Sequence, residues 1–171
     1  MILSRIFLKT GNDDVAIHAG NSGDYAQRTS QRKRGAFCFE ETKKRAGVET
    51  EFVDICEIPM PLDDAGEQMK DQAFSDLVKR ADGLILVVPE YNHGYPGLLK
   101  HALDMNLEEY IHKAVGICGV SAGPFGGARV IEALLPVMRE LGLVTIFNDV
   151  NFADVGKVFG EDGRLLDEVR S

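Results

Sequence analysis

Gly83-Leu84-Ile85-Leu86-Val87-Val88-Pro89-Glu90-Tyr91-Asn92-His93-Gly94-Tyr95-Pro96-Gly97-Leu98-Leu99-Lys100-His101-Ala102-Leu103-Asp104 is the stretch on which the fold turns. Leu84 to Val88 is an unbroken apolar run with β-branched members, bounded by Gly83 and Pro89. A strand buried on both faces of a parallel sheet reads this way. The run predicts a mid-sheet strand whose ladder ends at Pro89. A polar loop from Glu90 to Gly94 follows, and Pro96 takes the first helical position, where its absent N–H costs nothing. Leu98, Leu99, Ala102 and Leu103 recur at helical spacing, so the next helix packs back on the sheet. The loop therefore caps the carboxyl end of a strand, the edge at which open α/β sheets bind ligands.

Outward from this stretch, strand and helix signals alternate. Ala114 to Val120 reads as a second buried strand, with Ser121-Ala122-Gly123-Pro124-Phe125-Gly126-Gly127 at its carboxyl end. Glycines there let main-chain N–H groups approach a planar ligand closely, and a serine hydroxyl donates or accepts; a plain strand-to-helix turn reads the same way. Two such loops on neighbouring strands point to one shared site. Val130, Ala133, Leu134, Val137, Met138 and Leu141 place an apolar stripe on the next helix. Gly142 stops that helix, and Pro136 inside it predicts a kink. Leu143 to Phe147 is the expected last core strand, and the tail from Asp149 reads as polar loop with a short helix from Gly163.

Upstream, Met69, Ala73, Phe74, Leu77 and Val78 mark a helix that ends before Gly83. Thr50 to Ile55 alternates as a strand, and Pro59, Pro61 and Asp63-Asp64 make an extended, solvated loop. A helix over Glu40 to Arg45 runs acidic to basic and stops at Gly47, as the helix dipole favours. The first forty residues are less regular. Met1 to Leu8 reads either as a strand or as an amphipathic turn. Val15 to Ile17 is the expected first strand, and Gly20-Asn21-Ser22-Gly23 is either a phosphate cradle or an ordinary turn. Between Ala26 and Ala36 no large apolar residue gives a helix a buried face.

The 171 residues suit a single domain, 1–171, with a full hydrophobic core, and the 44% apolar content agrees. A formal charge of −8 argues against sequence-independent nucleic-acid binding, which needs a basic face. The three cysteines, Cys38, Cys56 and Cys118, are sparse and dispersed, which fits a reducing cytoplasm better than a disulfide framework or a zinc site. No apolar run is long enough to span a bilayer, so no membrane partner is expected. His18, His93, His101 and His112 have no metal-ligand spacing, and no metal is expected.

Pro89-Glu90-Tyr91-Asn92 with Gly94, Pro96-Gly97, Leu99-Lys100 and Ala102-Leu103-Asp104 continues through Gly119-Val120-Ser121-Ala122-Gly123 and Gly126-Gly127. This ordered set resembles the NAD(P)H-dependent FMN reductase family, a flavodoxin-like group of quinone, azo-dye and chromate reductases. The resemblance covers roughly Phe39 to Asp167. It implies a doubly wound, five-stranded parallel sheet in the order 2-1-3-4-5, with FMN across its carboxyl edge. Pro89, Glu90, Tyr91 and Asn92 are the implied residues along the ring, Asn92 through its amide and Tyr91 as a wall. Ser121, Ala122 and Gly123 are implied at the pyrimidine end.

The resemblance also implies NAD(P)H as co-substrate, a small acceptor such as a quinone, and a homodimer or homotetramer. The flavin carries the hydride, so no side chain is assigned as catalytic. His93 reads as an exposed loop histidine, and Glu90 equally as a residue that orders the loop. The family's Gly-Ser/Thr-x-Arg phosphate loop is not matched cleanly near Gly20. Codons allowed for Ala19 to Ser22, read one nucleotide later, can spell Leu-Gly-Thr-Val, so a frame change across about 17–38 is one account of that departure. Two other readings stay open: a one-electron flavodoxin-type carrier, and a flavin-free homologue with a disrupted phosphate loop.

Overall fold

The structure is a computed structural model that describes residues 3–4, 7–8, 37–60, 70–159 and 166. Its elements in chain order are β1 (Leu3–Ser4), β2 (Phe7–Leu8), α1 (37–43), β3 (Val48–Glu49) and β4 (Phe52–Val53). There follow α2 (Gln72–Arg80), β5 (Gly83–Pro89), α3 (Gly97–Asp104), β6 (Ala114–Val120), α4 (Ala128–Glu140), β7 (Val144–Thr145), β8 (Val150–Phe152) and α5 (Val155–Val158). Val15 to Ile17, Gly20 to Gly23, Asp63-Asp64, Met69 and the helix expected from Gly163 lie outside the described residues.

β5 and β6 form the parallel centre, with Gly83 opposite Ala114 and Pro89 opposite Val120. The ladder ends at Pro89 as expected, and one further bond follows it, from the Glu90 N–H to the Val120 carbonyl at 2.8 Å. N–H groups alternate in direction along a strand. The donor that Pro89 lacks would therefore point away from β6, and the proline interrupts pairing only on the other side. Pro96 sits one position earlier in its helix than expected. It is the N-cap, with ψ 139°, and its carbonyl accepts from the Leu99 N–H at 3.0 Å.

The two faces of β5 and β6 bury different partners, because successive side chains alternate. Leu84, Leu86, Val88, Val115 and Ile117 pack with Phe74 and Val78 of α2, Leu99 and Leu103 of α3, and Val130, Leu134 and Met138 of α4. On the opposite face Val87, Cys118 and Val120 meet Phe152, Val155, Phe159 and Phe37. Helices thus cover both faces of a parallel sheet, the doubly wound arrangement. Ala73, expected in the α2 stripe, is exposed; Asp71 instead starts the helix by accepting from the Phe74 N–H at 2.8 Å.

Three expectations are corrected at the sheet's margins. The strand expected over Thr50 to Ile55 is confined to β4, with β3 lying before it, and stops at Val53, where Asp54 accepts from the Cys56 N–H at 3.0 Å and starts a 3-10 turn. Of Met1 to Leu8, Leu3–Ser4 and Phe7–Leu8 take the strand reading, and they pair antiparallel with β4 and β3, Leu3 opposite Val53 and Leu8 opposite Val48. This N-terminal ladder lies against β5 and departs from an all-parallel sheet.

The last strand is split. Thr145 faces Val115 and Val150 faces Cys118, so residues 146–149 stand opposite only Gly116 and Ile117. The surplus residues bulge out, and Phe147, expected in the core, is 99% exposed. The tail after Asp149 then rejoins the structure as β8 and α5 rather than as loop. Pro136 is tolerated in α4 because it and Glu132, whose carbonyl it leaves without a helical donor, both face solvent.

Asp149 lies in that split. Partial burial, followed by the nearby Glu132, pushes its carboxyl above the ordinary 3.8. An acid whose folded pKa is raised costs stability once ionised, and the cost vanishes as pH falls through the raised value toward the unfolded one. Asp149→Asn therefore raises the thermal midpoint slightly at pH 7, with no gain at pH 3.5. Melting curves at both pH values check this, and an equal shift at both would contradict it.

Candidate functional site

Two loops leave the same edge of the sheet, one from β5 and one from β6, and the Glu90 to Val120 hydrogen bond ties their bases together. In the first, Tyr91 and Gly94 exchange main-chain bonds of 2.9 Å in each direction. Asn92 at φ 49° and His93 at φ 67° form the tip, both left-handed as a type I′ turn requires. Asparagine accepts this region readily; histidine does so at a cost of about 1 kcal/mol. Tyr91 is half-buried, and Asn92 and His93 are exposed.

The second loop is built on close backbone approach. A Cβ on Gly127, whose φ is +80°, would lie 2.5 Å from the Val120 nitrogen, and one on Gly119 would lie 2.7 Å from the Gly126 carbonyl. The glycine pair thus crosses directly over the end of β6 before α4 begins. Ser121 donates its hydroxyl proton to the Gly123 carbonyl at 2.8 Å, while its N–H donates to Phe152 at 3.1 Å. The Asp154 N–H donates to the Gly123 carbonyl at 3.0 Å, so the start of α5 pins the turn from outside. Among the described residues no carbonyl accepts from the N–H of Ala122 or of Gly123, and nothing lies within 4 Å of where a Gly123 Cβ would stand. The turn presents main-chain donors on an open surface.

The structure adds a residue that sequence reasoning missed. Arg129, in the first turn of α4, directs Nε and Nη2 at Glu90 Oε1, each at 2.5 Å, and Nη1 at His93 Nε2 at 3.0 Å. Its guanidinium carbon lies 4.8 Å from the centre of the Phe125 ring. The Glu90 side chain is 5% exposed. Its carboxylate faces Arg129, and this contact joins the first loop to α4. A signal was available: a cation in the first turn of a helix opposes the macrodipole and needs a compensating anion from elsewhere.

All seven expected residues therefore lie on one rim. Pro89 ends β5, Glu90 to Asn92 form one wall, and Ser121 to Gly123 form the facing turn. No helix among the described residues is long and apolar enough to cross a membrane.

A family model described as NADPH-dependent FMN reductase matches residues 22–156. An NAD(P)H-dependent FMN reductase of Pseudomonas aeruginosa is 31% identical over 71% of this chain and 70% of its own length. An NADPH azoreductase of Bacillus sp. is 34% identical over 50% of this chain, and the chain spans about half that relative, 51%. Among solved structures, FerB from Paracoccus denitrificans, a flavoenzyme NAD(P)H:(acceptor) oxidoreductase, superposes with TM-score 0.66 over 91% of this chain and 87% of its own. At 20% identity that likeness speaks for the fold.

Proposed function

The chain belongs to the NADPH-dependent FMN reductase family, and from that premise we propose that it is an FMN-dependent NAD(P)H:acceptor oxidoreductase acting on small, flat acceptors such as quinones or azo compounds. Relatives named for azo compounds and for a benzoquinone support the acceptor class. The observation that carries the reading is the meeting of the two loops at one sheet edge, with N–H groups at Ala122 and Gly123 that no carbonyl among the described residues accepts from. These features fit a flat, electron-accepting ring: donors face its pyrimidine end, and the open surface at Gly123 admits close approach.

In this proposal Pro89, Tyr91 and Asn92 line the ring, and Ser121, Ala122 and Gly123 hold its pyrimidine end, with Glu90 ordering the wall. The chemistry that FMN supplies when bound is hydride acceptance from NAD(P)H and its return to the acceptor. The N–H groups of 122 and 123 stabilise negative charge at that end of the site, which favours reduction. Ser121 keeps their turn in shape through its bond to Gly123. No side-chain acid or base is assigned.

The same proposal takes the chain as one flavodoxin-like domain with strand order 2-1-3-4-5. The order β5-β6-β7 and the ladder lying against β5 support it. A cytoplasmic location is supported by the sparse cysteines, three in 171 residues with none in a disulfide. A homodimer or homotetramer follows from the family's habit of closing its sites between subunits.

Absorbance of the purified protein in the flavin bands, before and after adding FMN, tests the reading together with stopped-flow mixing against NADPH. The expected result is one flavin per chain and bleaching on mixing. A chain that takes up flavin but is not bleached without a separate reductase is an electron carrier. One that takes up no flavin is the non-enzymatic homologue.

A further inference from the structure

We propose that Arg129 is a positioning residue for the site: through Glu90 and His93 its guanidinium holds the Tyr91–Gly94 turn in the conformation that ring and acceptor binding require. The inference rests on the flavin reading above and extends it to a residue outside both loops' binding positions.

The fork of Arg129 is spent on the first loop. One edge meets Glu90 and the remaining nitrogen meets His93, while the plane lies over Phe125 of the second loop. With a guanidinium as donor, His93 Nε2 is the acceptor, and the ring proton sits on Nδ1. Glu90 depends on this contact in turn. Its Oε2 is buried and meets no donor among the described residues, so Arg129 is the cation that compensates its burial. The arginine is likewise misplaced without the carboxylate, because the first turn of α4 holds no acidic residue to offset a cation at the positive helix end. Each group makes the other's position tenable, and the pair joins α4 to the loop of β5.

The turn has reason to need a tether. Asn92 and His93 are both left-handed, and Tyr91 and Gly94 close the turn by exchanging two main-chain bonds. Releasing His93 and Glu90 frees the tip to adopt other conformations, which lowers the population competent to bind. A planar guanidinium that spreads its donors over both Glu90 and His93 is poorly replaced by lysine, so a graded response is expected.

The test uses R129Q, R129K and E90Q in the full chain, with three readouts: amide exchange of residues 91–95 without added FMN, FMN affinity by fluorescence, and kcat against KM for a quinone. R129Q is expected to speed exchange at 91–94 and to raise the FMN Kd, each by about tenfold or more, the scale of one or two lost charge-assisted bonds. KM for the quinone rises more than kcat falls, and R129K restores part of each change. E90Q reproduces the effect, and R129Q with E90Q is no worse than either alone.

Unchanged exchange at 91–94 in R129Q overturns the proposal whether or not flavin binds. So does an equal rise throughout β6 and α4, which marks a general support of the fold. If R129Q does not fold, R129K and E90Q decide by the same criteria. A wild-type chain that takes up no FMN overturns the flavin reading instead, and the exchange measurement still decides the tether.

Discussion

Gly127→Ala unfolds the rim and costs about 2–5 kcal/mol, the sum of a left-handed residue gaining a Cβ and of overpacking against atoms that cannot yield. The new Cβ would lie 2.5 Å from the Val120 nitrogen and 2.7 Å from Gly119 Cα and carbonyl carbon. These are backbone atoms of the central strand, so the loop must move rather than its neighbour. Moving it carries away the start of α4, because the Gly127 carbonyl accepts from Val130 and Ile131, each at 3.1 Å. Arg129 lies between and moves with them. Urea unfolding measures the loss, and a change under about 1 kcal/mol would contradict the crossing described for this loop. Gly97→Ala is the control: nothing lies within 4 Å of its Cβ, and it opens α3. Alanine there is expected to be neutral or to stabilise by up to about 1 kcal/mol.

Leu86→Ala is expected to cost about 2–5 kcal/mol, the range for a leucine truncated in a packed core. Leu86 is 0% exposed, in the middle of β5, where the helix layer and the sheet meet. Collapse around the hole is limited because β6 fixes the strand from Gly83 to Pro89. Ile85 points to the other face and is only partly buried, so Ile85→Ala is expected to cost clearly less. Domains of this size are stable by only about 5–15 kcal/mol, so either change at 127 or 86 removes a large share. Paired unfolding curves for L86A and I85A check the ranking; equal losses would place the core on both faces alike.

What was legible beforehand followed from periodicity and punctuation. The apolar run 84–88 and its counterpart 114–120 are strands within one residue of expectation, and the stripe through Val130, Leu134 and Met138 is buried. The helix expected over Glu40 to Arg45 instead spans 37–43, and Gly47, with φ +77°, lies four residues beyond its end in the turn that leads to β3. Errors collected where a run is short and a neighbour decides its fate. Phe147 looks like a core residue in Leu143 to Phe147, but register with β6 leaves two residues too many, and the bulge expels it. Residues 3–8 carry no signal that says which strand they pair with, or in which direction. The Arg129 tether was invisible for the same reason: Arg129 is far along the chain from Glu90 and His93, and only the sheet edge brings it to them.

The amino-acid order alone determined that strand runs end in two glycine-bearing loops and that the helices following them return to the sheet, because side-chain alternation and backbone freedom are local properties. The tertiary structure alone decided that Glu90 meets Arg129 and that the last strand breaks in two. Those outcomes depend on register and on contacts between residues distant in sequence, which no local pattern encodes.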